Sequence, residues 1–380
     1  MTTTPQAGQA ETDALHVLMP HCGLRSGSQL GGEVFERQLL LRLPDYGVFP
    51  HIGLPSSRGL ETVPAGWDVD LLRPGRGLRW YLAPAAFLPY SLRQLRGGKI
   101  DLIRAHSPRF VGPSLLAARG ALGLQVPLVV HHHHGEPGAA GAADRWVLRR
   151  ASLVVVPSRV VRDEVVADGV SPARVAVVPN GAELPAPHAD GVLWRRPPGA
   201  RLLYVSRLVP RKRPLLAIET AAALAPDFPE LELIFVGRGE LAEAAHRHAR
   251  ALGVADRVQF VEWVSEEAKA WLLETADLFL MPSVLEGFGL VALESQLAGT
   301  PVVGGPASAL AEVVVAGETG LLAGDDDASF VVAARALLEN PERRAAFGAA
   351  ARRNAARFSW SSAAAATADA YRRTLAGARS

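Results

Sequence analysis

Glu286 and Glu294 are the pair of side chains around which this chain can do chemistry. They bracket a short loop, Gly287-Phe288-Gly289, and the first turns of an apolar stretch that ends at Gly299. The surrounding segment, residues 277–305, reads DLFLMPSVLEGFGLVALESQLAGTPVVGG. Residues 278–281 are long enough for a buried strand, and Pro282 and Ser283 stop it. Residues 290–298 carry apolar side chains at helical spacing, and 300–303 start another strand. A loop that opens a helix presents backbone N–H groups and the positive end of the helix dipole, which suits a phosphate. A carboxylate on each side suits sugar hydroxyls. The same two carboxylates would also serve a glycoside hydrolase as acid and base, which needs them roughly 5–9.5 Å apart.

Two further strand ends supply what a diphosphate wants. After the apolar run LLYV comes Ser206-Arg207-Leu208-Val209-Pro210-Arg211-Lys212, and after LIFV comes Gly237-Arg238-Gly239-Glu240. Arg207 and Lys212 bring two cations, and Gly237 and Gly239 permit close approach of backbone to ligand. Taken alone, the two cations are also what a solvated loop would carry. Three such turns on one edge of one sheet make the ligand reading the stronger one.

The elements that must hold these turns alternate between strand and helix. In the first half, apolar runs at 15–19, 48–54, 69–72, 102–105, 128–131, 153–156 and 175–178 read as strands, with helical segments between most of them. The loop at 21–32, HCGLRSGSQLGG, leads into a helix with Val34, Leu39, Leu40 and Leu43 on one face. The pair Gly31-Gly32 at its start fits either a tight turn or a ligand's approach. In the second half, strands are expected at 202–205, 233–236, 258–261, 278–281 and 302–303. An Ala/Arg-rich helix is expected over 333–357 and a last one over 359–375. Alternation of this kind predicts parallel sheets covered on both faces, and ligands at the carboxyl ends of their strands. The proline-rich, aperiodic stretch at 184–199 reads as a linker. It divides the chain into a first domain, 14–183, and a second, 200–358, with 359–380 as a closing helix.

Composition sets the outer limits. The chain has 380 residues, enough for two domains of ordinary size. A formal charge of +2, with no tract of Lys or Arg, argues against a nucleic-acid binder. Only three of the 40 basic residues are lysines, Lys99, Lys212 and Lys269. One cysteine, Cys22, cannot form an internal disulfide, and it reads as a small loop residue. No stretch reaches the ~18 apolar residues of a membrane-spanning helix. A reducing cytoplasm is the expected compartment, and the polar residues 1–13 read as a disordered tail.

At this point the chain resembles the retaining nucleotide-sugar glycosyltransferases of the GT-B fold, the large group called family 4. EGFGLVALE at 286–294 matches the family's E-x7-E motif and is followed by LAGTPVV. SRLVPRK at 206–212 matches G-R-L-x-x-x-K with Ser206 in place of glycine, and VGRGE matches V-G-x-G-x. PNGAEL at 179–184 and GETGLL at 317–322 match two further segments, and Gly31-Gly32 and DLIRAHSP match more loosely in the first half. The resemblance implies an α/β protein of two Rossmann-like domains facing across a cleft, with the C-terminal helix crossing back to the first domain. It implies an enzyme that moves a hexose-type sugar from a nucleotide diphosphate, most often UDP, to an acceptor hydroxyl with retention. Arg207 and Lys212 would contact the diphosphate, and Glu286 and His106 the donor sugar. Glu294 would hold the ribose hydroxyls. The backbone at Phe288, Gly289 and Leu290 would hold sugar and phosphate, with Gly31, Gly32, Gly237 and Gly239 around them. No metal or other cofactor is implied. The acceptor stays open between a lipid-linked saccharide, a surface-glycan precursor and a small natural product such as an aminocyclitol, the last favoured and pointing to a bacterial biosynthetic setting. The rival readings are the glycoside hydrolase and a binding protein that keeps only the fold.

Three features invite other readings. His131 to His134 form a run of four histidines. Successive side chains on extended backbone point to opposite faces and do not converge on one ion, so His133 and His134 are read as acceptor contacts. The acidic run 325–327 stands before a helix, where Asp is favoured as a cap. Residues 78–99 mix Trp80, Tyr81, Phe87 and Tyr90 with Arg93, Arg96 and Lys99, and Pro84 and Pro89 interrupt any helix there. Peripheral membrane contact through this stretch is weighed against a core-packed helix, and the latter is preferred.

Overall fold

The computed structural model describes residues 14–24, 31–55, 63–72, 83–134, 138–188, 199–306, 308–324 and 326–379. By its internal contacts the chain divides into two units. The first holds residues 1–180 and 360–380, the second 181–359. Residues 181–188, assigned above largely to the linker, belong with the second unit, where the Ala182 N–H donates to the Phe358 carbonyl. The rest of that linker, 189–198, lies outside the described residues, as do the tail 1–13, Trp80, Tyr81 and Asp325.

The first unit is a seven-stranded parallel sheet. Its strands are β1 (Leu15–Pro20), β2 (Val48–Pro55), β3 (Asp68–Leu72), β4 (Leu102–Ala105), β5 (Leu128–His131), β6 (Leu153–Val156) and β7 (Val175–Val177). Their spatial order is β3-β2-β1-β4-β5-β6-β7. The order reverses between β1 and β4, which places a switch point at the carboxyl ends of those two strands. The central strands β4, β5 and β6 are buried along their whole length, as expected of strands covered on both faces.

Helices α1 (Gly31–Arg42), α2 (Ala83–Arg96), α3 (Pro108–Ala121), α4 (Gly138–Leu148) and α5 (Arg159–Ala167) connect the strands. α2 corrects one expectation, because it runs through Pro89 without a break. Pro84 falls in its first turn, where no N–H is needed. Phe87 and Tyr90 of this helix are buried in the core with Leu18, Ile103 and Val111, as a core-packed helix requires.

The second unit is a six-stranded parallel sheet of order β10-β9-β8-β11-β12-β13. The strands are β8 (Arg201–Val205), β9 (Glu232–Val236), β10 (Val258–Val261), β11 (Leu278–Met281), β12 (Val302–Gly304) and β13 (Gly320–Leu322). Side chains alternate between two cores. Leu202, Tyr204, Leu233, Phe235, Leu278 and Leu280 lie on one face, and Leu203, Ile234, Val236, Phe279 and Met281 on the other. β13 was not foreseen as a strand, being only three residues long.

Helices α6 (Pro214–Leu224), α7 (Ala242–Ala251), α8 (Glu266–Thr275) and α9 (Leu290–Ala298) follow strands β8 to β11. The single helix expected over 333–357 is two, α10 (Asp327–Leu338) and α11 (Pro341–Ala355). The Asn340 side chain accepts from the Arg343 N–H and Pro341 occupies the first position of α11, so Asn340-Pro341 both ends one helix and caps the next. The acidic run serves as a cap in the same way: Asp326 accepts from the Ser329 N–H at 2.8 Å.

The last helix, α12 (Trp360–Arg379), returns to the first unit. It packs on α1, with the Trp360 ring 6.0 Å from Phe35, and Arg372 donates to the Tyr46 carbonyl at 2.5 Å. Two Rossmann-like parallel sheets with a C-terminal helix on the first make this a GT-B architecture.

α9, which carries Glu294, is braced from behind by α11. Arg352 donates to the Ala298 carbonyl at 2.7 Å, and Asn354 donates to Gln296 at 2.9 Å. A Cβ on Gly348 would stand 2.3 Å from the Gly299 carbonyl oxygen, so the two backbones meet only because Gly348 has no side chain. Gly348→Val is therefore expected to destabilise the fold by about 1–3 kcal/mol, a Tm drop of roughly 2–10 °C. Gly377→Ala, where a Cβ would meet nothing within 4 Å, is the control and should leave the calorimetric melt unchanged.

Candidate active site

In the second unit the order reverses between β8 and β11, and the sequence-marked turns follow the adjacent strands β9, β8 and β11. The loop after β8, 206–213, is pinned on both sides. The Leu208 N–H donates to the Arg238 carbonyl at 2.8 Å, and the Val284 N–H donates to the Arg211 carbonyl at 3.0 Å. Gly237 and Gly239 have their reason in this packing. A Cβ on Gly237 would lie 2.0 Å from the Ser206 carbonyl oxygen, and one on Gly239 would lie 2.3 Å from that of Leu208. Their missing side chains make room for the neighbouring loop, so a ligand contact there falls to backbone alone. The loop closes on Arg213, which has φ 47° and is the one non-glycine residue with positive φ among those described. Such a conformation is costly without glycine and is held here by the ion pair of Arg213 with Asp327.

α9 begins at Leu290 after Gly289, which has φ 96°. Its first helical hydrogen bond runs from the Leu293 N–H to the Gly289 carbonyl. The N–H groups of residues 290–292 therefore have no acceptor within the helix, as at any helix start. Phe288 is buried, its ring 6.0 Å from Phe358, and anchors the loop.

Each motif glutamate has a lysine. Lys212 pairs with Glu286 through Oε1, and Lys269 on α8 pairs with Glu294 through Oε2 at 2.9 Å. Lys269 also meets Glu266 at 2.8 Å. Burial pulls the Lys212 ammonium down from its ordinary value, opposed by Glu286. Burial opposes the Lys269 charge too, but two carboxylates outweigh it and hold the ammonium up. Burial pushes the Glu294 carboxyl up, against the pull of Lys269. Lys269 is a partner of Glu294 that sequence reading missed. The available signal was rarity, because two of the chain's three lysines face the two motif glutamates. Arg207 is exposed on the same loop as Lys212.

The first unit has its own cluster at the switch point between β1 and β4. His106 follows β4 and is half-buried. Its ring stacks on that of His21, which follows β1, at 3.6 Å between centroids and 18° between planes. Glu36 on α1 and Arg104 on β4 form a buried fork, with bonds of 2.6 and 2.7 Å. Burial pushes the Glu36 carboxyl up, but the charge and bonds of Arg104, with His21 close by, outweigh it and hold it well below the carboxylate range. Tyr371 of α12 lies beside Arg104, and its hydroxyl lies 2.9 Å from His131 Nε2. Gly31 and Gly32 are exposed at the start of α1, and a Cβ on Gly32 would meet nothing within 4 Å.

The histidine run separates by alternation. His131 and His133 both face Phe35, at 5.9 and 4.5 Å, while His132 is buried apart from them. His134 is half-buried. Among the described residues no group of three His, Cys, Asp or Glu side chains is arranged to hold a metal ion, and no helix is long and apolar enough to cross a membrane.

Comparison with known proteins gives this geometry a family. Residues 31–184 match the model described as Glycosyltransferase Family 4, and residues 195–354 match Glycosyl transferases group 1. The chain belongs to the family 4 glycosyltransferases. It is 39% identical over 257 residues to D-inositol 3-phosphate glycosyltransferase 2 of Catenulispora acidiphila, covering 63% of this chain and 58% of that one. It is 33% identical over 267 residues to D-inositol 3-phosphate glycosyltransferase of Streptomyces coelicolor, covering 62% and 58%. The matched stretch thus spans less than two thirds of these relatives. In fold, this glycosyltransferase chain is similar to sucrose-phosphate synthase from Thermosynechococcus elongatus, with a TM-score of 0.78 at 21% identity over 96% of this chain and 100% of that one. It is likewise similar to Anabaena HepE solved in complex with UDP and glucose, with a TM-score of 0.71 at 20% identity over 93% and 98%.

The histidines of the first unit make a pH test. Burial pulls His106 and His131 well below their ordinary value, and brings His132 to about 3 and His133 to about 4. The unfolded chain protonates all four below pH ~6.5, and the folded chain does not. Stability is therefore full above that pH and falls as pH drops below it, by up to ~1.4 kcal/mol per pH unit for each histidine. Tm measured from pH 8 to 5 should fall below pH ~6.5, with a shallower slope in His132→Asn. An equal slope in the variant would contradict these shifts.

Proposed function

We propose that this protein is a retaining hexosyltransferase that uses a UDP-sugar and a small cyclitol acceptor. The observation that carries the donor half is the convergence of three turns after the adjacent strands β9, β8 and β11. Two cations, a helix start and two lysine-paired carboxylates meet there. Arg207 and Lys212 take the diphosphate and stabilise the charge that grows on it as the glycosidic bond breaks. The start of α9 binds phosphate and sugar through Phe288, Gly289 and Leu290. Glu294 takes the ribose hydroxyls, and Glu286 the donor sugar together with His106. The acceptor oxygen attacks C1 from the face the diphosphate leaves. The departing phosphate oxygen accepts the acceptor's proton, so no separate protein base is required. His133 and His134 stand at the end of β5 as acceptor contacts.

The nucleotide assignment is supported by HepE, whose structure holds UDP and glucose. The acceptor class is supported by the relatives named for D-inositol 3-phosphate. The paired lysines weigh against the hydrolase reading, because neither glutamate is left as an isolated acid or base.

A donor panel of UDP-, GDP- and ADP-hexoses, with D-inositol 3-phosphate and myo-inositol as acceptors, tests both halves. Release of UDP that depends on the cyclitol and survives EDTA is the expected result. Cleavage of simple glycosides without nucleotide, or complete loss in EDTA, would overturn it. Lys212→Ala and Arg207→Ala should each lower kcat by about 100- to 1000-fold, the usual loss for one contact to developing charge. Glu294→Gln should instead act mainly on the donor KM.

A further inference from the structure

The first unit holds His106 by a device that the transfer chemistry does not itself require. His21 lies under it, ring on ring at 3.6 Å, and His21 is in turn held by a hydrogen bond at Nδ1. The Gly23 N–H donates to His21 Nδ1 at 3.1 Å, which makes that nitrogen an acceptor and leaves the proton on Nε2. Nε2 faces Glu36 Oε2 at 3.6 Å. Glu36 cannot swing away, because both its oxygens are held by Arg104. Arg104 cannot swing away either, being fully buried and held at both terminal nitrogens by Glu36, with Tyr371 of α12 beside it. The result is a continuous buried stack from the C-terminal helix to the exposed side of the switch point, ending on the His106 ring.

We propose that His21 is the positioning residue for His106. Its aromatic face sets the plane of the His106 imidazole, and the Gly23 N–H, with the Glu36 carboxylate facing Nε2, holds His21 in place. A half-buried histidine at the end of a strand has several rotamers, and a stacked ring at 3.6 Å admits few of them. This rests on the reading of His106 as a residue that touches the donor sugar. Mispositioning by about 1 Å can cost on the order of 100-fold in rate, so the support matters even though His21 touches no substrate.

The test uses three variants of the full chain, His21→Phe, His21→Leu and His106→Ala. Phe keeps an aromatic face, and Leu keeps buried volume without one. In histidine-labelled protein, the His106 ring resonances carry a ring-current shift from the stack. That shift should persist in His21→Phe and vanish in His21→Leu, whatever donor the enzyme uses. With UDP-glucose and D-inositol 3-phosphate, kcat should fall by about 10- to 100-fold in His21→Leu with little change in KM, and stay near wild type in His21→Phe. In a His106→Ala background, His21→Leu should cost nothing further. An unmoved His106 resonance with wild-type kcat in His21→Leu would overturn the proposal. So would an equal loss in the His106→Ala background, which would mark a merely structural role. Full activity in His106→Ala alone would instead overturn the reading of His106, while the resonance shift still decides the stack.

Discussion

A carboxylate removed from water must find a cation and hydrogen bonds, or it gives up its charge. That demand organises both switch points of this protein. In the first unit it is met by Glu36 and Arg104, and in the second by Glu286 with Lys212 and Glu294 with Lys269. None of these pairs is a favourable bargain for stability as such. Two well-packed apolar side chains would serve the fold as well or better. Their presence at the carboxyl ends of the strands, where an open parallel sheet binds its ligands, is what gives them a functional reading.

The rest of each unit holds these charges still. In the second unit the β8 loop is tied to the turns after β9 and β11 by backbone bonds, and Gly237 and Gly239 let it lie against its neighbour. α11 braces α9 from behind through Arg352, Asn354 and the bare backbone at Gly348. At the opposite ends of the strands, Arg201 is buried between Thr275 and Glu232, and Asp277 accepts from its N–H. A site built this way is held by backbone bonds and close packing from rigid elements behind it.

Much of this was legible in the chain. Strands buried on both faces read as short, largely apolar runs, and such runs located β4, β5, β6 and β11 with their full extent. The motif glutamates and the glycine turns announced themselves by type and spacing. The misses have physical causes. β13 is too short to show a period. The break at Asn340-Pro341 was marked by that dipeptide, but the Ala/Arg-rich flanks on both sides look like one continuous helix. Proline in α2 looked like an interruption and was accommodated. The buried partners Glu36, Arg104 and Lys269 were invisible, because a charged residue in a strand or helix does not reveal which distant residue will neutralise it. Only a contact across 68 residues of chain makes Arg104 intelligible.

The choice of cation differs between the units, and the difference follows the work each pair is placed to do. Arg104 engages both oxygens of Glu36 in a planar fork, which fixes the carboxylate and leaves it nothing to offer a ligand. The lysines engage one oxygen each, Oε1 of Glu286 and Oε2 of Glu294. A point charge on a flexible stem neutralises a carboxylate without occupying both of its acceptors. In a chain that otherwise uses arginine almost throughout, lysine stands beside the two motif glutamates, and each carboxylate keeps an oxygen that the lysine does not engage. The forked pair suits support, and the single-point pairs suit a site that substrate must enter.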